Sequence, residues 1–493
     1  MNLFARKSIQ TLLSQADNTE KSLKRTLGPG ALISLGIGAI IGAGLFVRTA
    51  AAAADHAGPA VTLGFIVAAI GCALAGLCYA EFASMIPIAG SAYTYTYATV
   101  GELFAWIIGW DLILEYGVGA ATVGIAWSEY FNNLLINVLH MPGVPYQWCH
   151  SPMQMSTDGV HGIMNVPALF IIGVLTLLLI RGTQESANVN NIIVITKVSI
   201  VILIIALGWS YINPANHTPY IPAATTYIDP HGLSHAYGGL VGILGAAGVV
   251  FFAFIGFDAV STAAQEAKNP AKDMPIGILG SLLVCTILYI LFSHVLTGLG
   301  TVEDFRTSGR EASVTFVINK YMPGYEWLGS MVTVAILAGF SSVILVMLLG
   351  QSRVFYSMSN DGLLPKVFSD VHPKYKTPFR SNQILFLIAG GFAAFLPGDL
   401  VGEMTSIGTL FAFILVCIGV IILRYKHPEL PRAFKTPLVP FVPILGALVC
   451  LAMIYGLGWP NWLRLFIWLA IGLVIYFTYS MKHSHLNDKD HKY

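Results

Sequence analysis

Lys197 stands inside an unbroken apolar run, Ile192-Ile193-Val194-Ile195-Thr196-Lys197-Val198-Ser199-Ile200. If that run is a helix, Lys197 is about ten residues, or about 15 Å, from its start. Such a depth is too great for the ammonium to reach water, and desolvation disfavours its charged form. The chemistry this permits is proton binding, with a structural ion pair to an acid in another helix as the plainer alternative. Asp258 and Glu115 are the acids placed to take part, each within an apolar stretch. For Glu115 a structural hydrogen bond is an equal alternative, because buried carboxylates are normally satisfied. Asp111 precedes Glu115 by four residues, hence on the same helical face. His294 is solitary and reads as a satisfied core residue. No nucleophile stands near a base or a second acid, so no intramembrane protease or acyltransferase is assembled and no catalytic residue is expected. No filter loop recurs, as a channel would need.

Two glycine-rich stretches could do a second kind of chemistry. The first reads Gly36-Ile37-Gly38-Ala39-Ile40-Ile41-Gly42-Ala43-Gly44-Leu45-Phe46. Each glycine weakens a helix by about 1 kcal/mol relative to alanine. Gly38 and Gly42 also suit close helix packing. The second reads Phe251-Phe252-Ala253-Phe254-Ile255-Gly256-Phe257-Asp258, with Gly242, Gly245 and Gly248 before it. Helices interrupted at matching positions of two halves point to a transporter built from inverted repeats. The freed amides of a break can hold a carboxylate and its freed carbonyls an ammonium. One zwitterionic amino acid satisfies both.

The elements that must carry these groups follow from composition. The chain has 493 residues, 56% of them hydrophobic and 10% charged, against roughly 25% charged in an average soluble domain. Its mean hydropathy is +0.72. Lys and Arg number 26 and Asp and Glu 25, so no basic field exists for nucleic acid. Five of six cysteines fall in apolar runs, excluding a disulfide framework or a zinc site; no cofactor or metal is expected. Twelve stretches are long enough to span a bilayer, centred near residues 40, 72, 115, 174, 200, 252, 288, 343, 390, 413, 448 and 471. No cleavage-site pattern precedes the first, so no signal peptide is read. Most Lys and Arg fall in the even-numbered connections and the two tails, which predicts cytoplasmic termini.

The glycine motif at 36–44 resembles the first-helix motif of the amino acid–polyamine–organocation superfamily. Tyr79-Ala80-Glu81-Phe82, Pro87-Ile88-Ala89-Gly90-Ser91-Ala92-Tyr93 and Gly109-Trp110-Asp111-Leu112-Ile113-Leu114-Glu115-Tyr116 are similar to its second and third helices. Phe254-Ile255-Gly256-Phe257-Asp258, then Glu266, Asn269-Pro270 and Ser359-Asn360-Asp361-Gly362-Leu363-Leu364-Pro365, narrow the resemblance to bacterial relatives of the cationic amino acid transporters. Animal members look fourteen-spanning; this chain has twelve.

The resemblance implies an all-α polytopic membrane protein with the LeuT-type 5+5 inverted repeat and two additional C-terminal helices. The expected division is a cytoplasmic segment at 1–27, repeats at 28–211 and 212–424, helices eleven and twelve at 425–481, and a cytoplasmic tail at 482–493. It further implies that the backbone at Ile40, Ile41, Gly42, Ala43, Gly44, Phe252, Ala253 and Ile255 holds an L-amino acid. Amides of Ala43 and Gly44 would take the carboxylate, carbonyls of Ile40, Phe252, Ala253 and Ile255 the ammonium, and Phe252 would gate the site. Lys197, Asp258 and Glu115 would couple transport to protons, with Ser341 and Ser342 near the lysine. Met347 is a possible size filter or an ordinary core or lipid-facing residue. The expected function is proton-coupled uptake of small neutral L-amino acids at the plasma membrane by alternating access. A cationic substrate or an exchange mode is the alternative, and an intramembrane enzyme a remote one. A small membrane subunit or lipid partner is not legible in the residues.

Overall fold

The computed structural model describes residues 6–7, 27–42, 44–86, 91–156, 158–181, 186–228, 232, 234–262, 264, 267–307, 313–375 and 377–486. Ala43 and Glu266 lie outside the described residues.

Among the described residues, twelve main helical elements follow one another, and eight stretches of them are long and apolar enough to cross a membrane. Helix α1 comes in two halves: α1a is Pro29–Ile40, with proline in the first turn where its missing N–H costs nothing, and α1b runs over 44–57. Then come α2 (Val61–Met85), α3 (Glu102–Val138), α4 (Val166–Arg181) and α5 (Ser186–Gly208). Helix α6 begins as Gly239–Val250, tightens into one 3-10 turn at Phe251–Phe254, and resumes at Ala259–Thr262. The remainder are α7 (Pro270–Leu299), α8 (Glu326–Asn360), α9 (Phe379–Phe395), α10 (Gly398–Lys426), α11 (Phe441–Gly456) and α12 (Trp459–Ile475). A short antiparallel hairpin, β1 (Thr225–Ile228) with β2 (Ser234–Tyr237), lies between α5 and α6 and was not anticipated. Arg306 covers the Tyr227 and Tyr237 rings of that hairpin, 4.0 and 4.8 Å from their centroids.

A bilayer supplies little hydrophobic drive between helices, so close approach through small residues substitutes for it. A Cβ on Gly64 of α2 would come 3.2 Å from Ala246 Cβ of α6, and one on Gly36 would overlap Ser281 of α7. Leu283, Ile287, Leu387, Leu448 and Ile467 are exposed on the outside of the bundle, where a lipid phase is the only environment that accommodates them together.

Candidate functional site

Helix α1a stops because Ile41 is extended, at φ −73° and ψ 106°. On the other side of the break the Gly42 carbonyl accepts the Leu45 N–H, opening α1b. Helix α6 breaks where Ile255 turns extended at ψ 136° and Gly256 takes φ +108°, a conformation that suits glycine. A Cβ on Gly256 would sit 3.0 Å from the Ala39 carbonyl oxygen. The breaks also touch directly: a Cβ on Gly44 would lie 2.1 Å from Ala253 Cα. Gly42 faces Val343 of α8. Ile40, Ile41, Gly42, Gly44, Phe252, Ala253 and Ile255 are therefore gathered in one buried crossing.

Helix ends leave carbonyls without partners, and here two side chains from outside fill the need. Lys197 of α5 is buried and donates from Nζ to Gly38 O at 2.7 Å and Ile41 O at 2.9 Å. Among the described residues it has no carboxylate partner. Gly339 of α8 makes room for its stem, since a Cβ there would be 2.7 Å from Lys197 Cδ. Ser341 instead turns its hydroxyl to Leu337 O of its own helix. Tyr289 of α7 reaches Ile40 O at 3.0 Å and Ala253 O at 2.8 Å. One hydroxyl proton is shared between two acceptors, so these carbonyls keep capacity for a further donor. Phe252 is buried, and its carbonyl accepts the Ile255 N–H at 3.3 Å.

The carboxyls form a second group. Asp258 is fully buried at the α6 break and accepts from the Ser91 hydroxyl at 3.3 Å and from Tyr116. Glu115 lies beside Asp258, and neither of its oxygens finds a donor among the described residues. Two carboxylates offer each other only acceptors, so a hydrogen bond between them requires a proton. Glu115 and Tyr116 sit in a π-helical stretch, Ile113–Val118; such bulges re-aim side chains and recur at functional sites. The oxygens of Asp111, one turn earlier, find no donor among the described residues. Gln351 of α8 is in the same condition near Gly117.

Two ion pairs close opposite ends of the bundle. Arg48 of α1b, buried, donates to Asp399 of α10 at 2.7 Å. Lys7 donates to Asp361 at 2.8 Å, and Tyr93 holds the other oxygen of that carboxylate. Sequence reading missed these pairs, Tyr289 and Gly339; only Arg48, a cation four residues past the glycine motif, carried a signal. Met347 packs on Gly119 of α3 in the core. His294 is partly buried beside His217, ring centroids 4.5 Å apart, and so is not a solitary core residue.

The Amino acid permease family profile matches residues 27–479. A branched-chain amino acid permease of Bacillus subtilis is 46% identical over 487 residues, 99% of each chain. A methylthioribose transporter of the same organism is 42% identical over 487 residues, again 99% of each. A vacuolar cationic amino acid transporter of Arabidopsis thaliana is 32% identical over 430 residues, 87% of this chain and 68% of the other.

Proposed function

Because the chain belongs to the amino acid permease family and transports amino acids, we propose that it carries aliphatic L-amino acids across the plasma membrane together with protons. The observation that carries this reading is Lys197 bridging α5 to the broken backbone of α1. A protonated lysine makes both contacts; a neutral amine has fewer protons to give and no charge with which to hold the carbonyls. Proton loss therefore loosens α1a, and a proton gradient biases which side is open. Such coupling requires different proton affinities in the two states. The Asp258–Glu115 pair is the second proton-holding group in this scheme.

The substrate's carboxylate is held by the amides of Ala43 and Gly44, and its ammonium by the Ile40, Phe252, Ala253 and Ile255 carbonyls, with Phe252 as the gate. The neighbouring side chains Ile41, Val343 and Phe252 are apolar. That lining favours alanine to leucine over arginine, in keeping with the branched-chain relative. The LeuT-type repeats at 28–211 and 212–424, both termini in the cytoplasm, complete the proposal. Arg48–Asp399 and Lys7–Asp361 are then ties on its outer and inner ends.

Proteoliposomes containing the full chain, given labelled leucine, valine, alanine and arginine, test it. Accumulation of the aliphatic substrates driven by an imposed pH gradient, without sodium, is expected. A sodium requirement overturns the coupling, and competition by arginine without competition by leucine overturns the substrate assignment. A decarboxylated amine competing as well as leucine overturns the backbone site.

A further inference from the structure

A groove of about 650 Å³ runs along the outside of α7 and opens broadly outward. Its floor and walls are Pro275, Ile276, Leu279 and Leu283 from one face of α7, with Ala433 and Phe434 from the connection between α10 and α11 opposite them. Ile276 and Leu283 are exposed. From Asn269 at the mouth to Leu283 is about 21 Å of helix, somewhat more than one leaflet's hydrocarbon depth of about 15 Å. The groove thus has the length and polarity of a lipid tail with its headgroup level.

Any lipid-facing groove is covered by acyl chains; the mouth makes this one selective. Lys272 lines it, Lys268 immediately precedes Asn269, and Lys435 immediately follows Phe434. All three lysines are exposed, and none has an ion-pair partner among the described residues. The neighbouring basic groups are already committed: Arg424 and Arg432 both pair with the buried Glu81 of α2. Nearby Asp273 faces inward, accepting the Asn269 N–H at 3.0 Å. What remains is one unpaired lysine lining the mouth, and two more next in sequence to its lining residues, above an apolar slot.

We propose that this groove is a binding site for one anionic phospholipid, its phosphate held by Lys272 with Lys268 and Lys435, and a tail along Ile276, Leu279 and Leu283. Basic recesses at the cytoplasmic ends of membrane helices select negatively charged headgroups; that sidedness rests on the orientation read above. Helix α1a packs on the same helical stretch, its Leu32 meeting Gly277 and its Ile33 meeting Gly280, a glycine that also lines the groove. A lipid seated here braces the part of α7 on which the moving half-helix rests.

The test is lipid binding alone, so its outcome is independent of whether transport is proton-driven. The full chain, delipidated in detergent, is titrated with phosphatidylglycerol or phosphatidylcholine and retained lipid is counted by native mass spectrometry. Wild type is expected to bind phosphatidylglycerol in preference. The double variant K272E/K435E should weaken that binding by about tenfold and leave phosphatidylcholine unchanged. K366E, an exposed charge reversal outside the groove, should bind like wild type. Equal affinity of wild type for the two lipids, retained selectivity in K272E/K435E, or an equal loss in K366E overturns the proposal. Unchanged melting temperatures of the variants exclude unfolding as the cause of a loss.

Discussion

The two broken helices solve the same backbone problem with opposite chemistry. At α1, freed carbonyls are held by a single cation, Lys197, delivered from α5 through a slot that Gly339 keeps open. At α6, the residue beyond the break is an acid, Asp258, held by Ser91 and Tyr116 from other segments with Glu115 beside it. For the Gly38 and Ile41 carbonyls the first arrangement has one side-chain donor, Lys197, while Tyr289 holds Ile40. The second is a network whose members share the load, and sites in one network do not act additively. The α1 break should therefore respond to a single change as a switch, and the α6 break by degrees.

Lys197→Ala tests the switch and has the largest expected effect. It removes two charge-assisted hydrogen bonds, each worth about 1.5–3 kcal/mol, and leaves Gly38 and Ile41 carbonyls without that donor. Accumulation driven by a pH gradient should fall to background, while substrate still shifts the melting temperature of the purified protein. Accumulation at the wild-type level would remove the lysine from the mechanism. Gly44→Ala comes next, because its Cβ would overlap the Ala253 backbone, which cannot yield as a flexible side chain does. Substrate binding itself should be lost, in contrast to Lys197→Ala. Gly339→Ala presses only on the lysine stem and should reduce accumulation partially, in the same direction as Lys197→Ala.

How much of this was legible in the sequence differs between the two breaks. The apolar runs and the glycine clusters follow from composition and spacing, and they located the main apolar helices and both interruptions. Lys197 was conspicuous because a charge in an apolar run is costly. Tyr289 was not, since a tyrosine in a membrane helix is unremarkable until its hydroxyl is seen at Ile40 and Ala253. Gly339 was one glycine among 49. The π-helical stretch that places Glu115 and Tyr116 by Asp258 has no local code: a bulge depends on what the neighbouring helices demand. The ion pairs Arg48–Asp399 and Lys7–Asp361 join residues about 350 positions apart, a proximity that a linear reading does not contain.

Glu115→Gln is expected to fall between these extremes. It keeps the shape and can still hydrogen-bond Asp258, but it removes one of two groups able to hold the shared proton. Uptake should persist with a weaker dependence on external pH, read as a flatter rate-against-pH curve in proteoliposomes. A curve identical to wild type would assign Glu115 the structural role. The double variant Glu115→Gln/Asp258→Asn should be less damaging than the sum of the two single changes, because the second removes an interaction already broken.

The smallest effect should come from Ser91→Ala, and its size is what separates a network from a single contact. The Ser91 hydroxyl donates to Asp258 at 3.3 Å, at the weak end of hydrogen bonding. Tyr116 donates to the same carboxylate oxygen, so the oxygen is not orphaned when serine is lost. A neutral bond of this kind contributes about 0.5–1.5 kcal/mol, and redundancy should place the change at the low end. Uptake rates should fall by less than about threefold, the equivalent of less than about 0.7 kcal/mol. Tyr116→Phe alone should cost more, being the closer donor. The pair together should exceed the sum of the two, because only then does Asp258 lose both hydroxyls. A Ser91→Ala defect as deep as that of Lys197→Ala would mean the α6 break also hangs on one contact, and the contrast between the two breaks would fail.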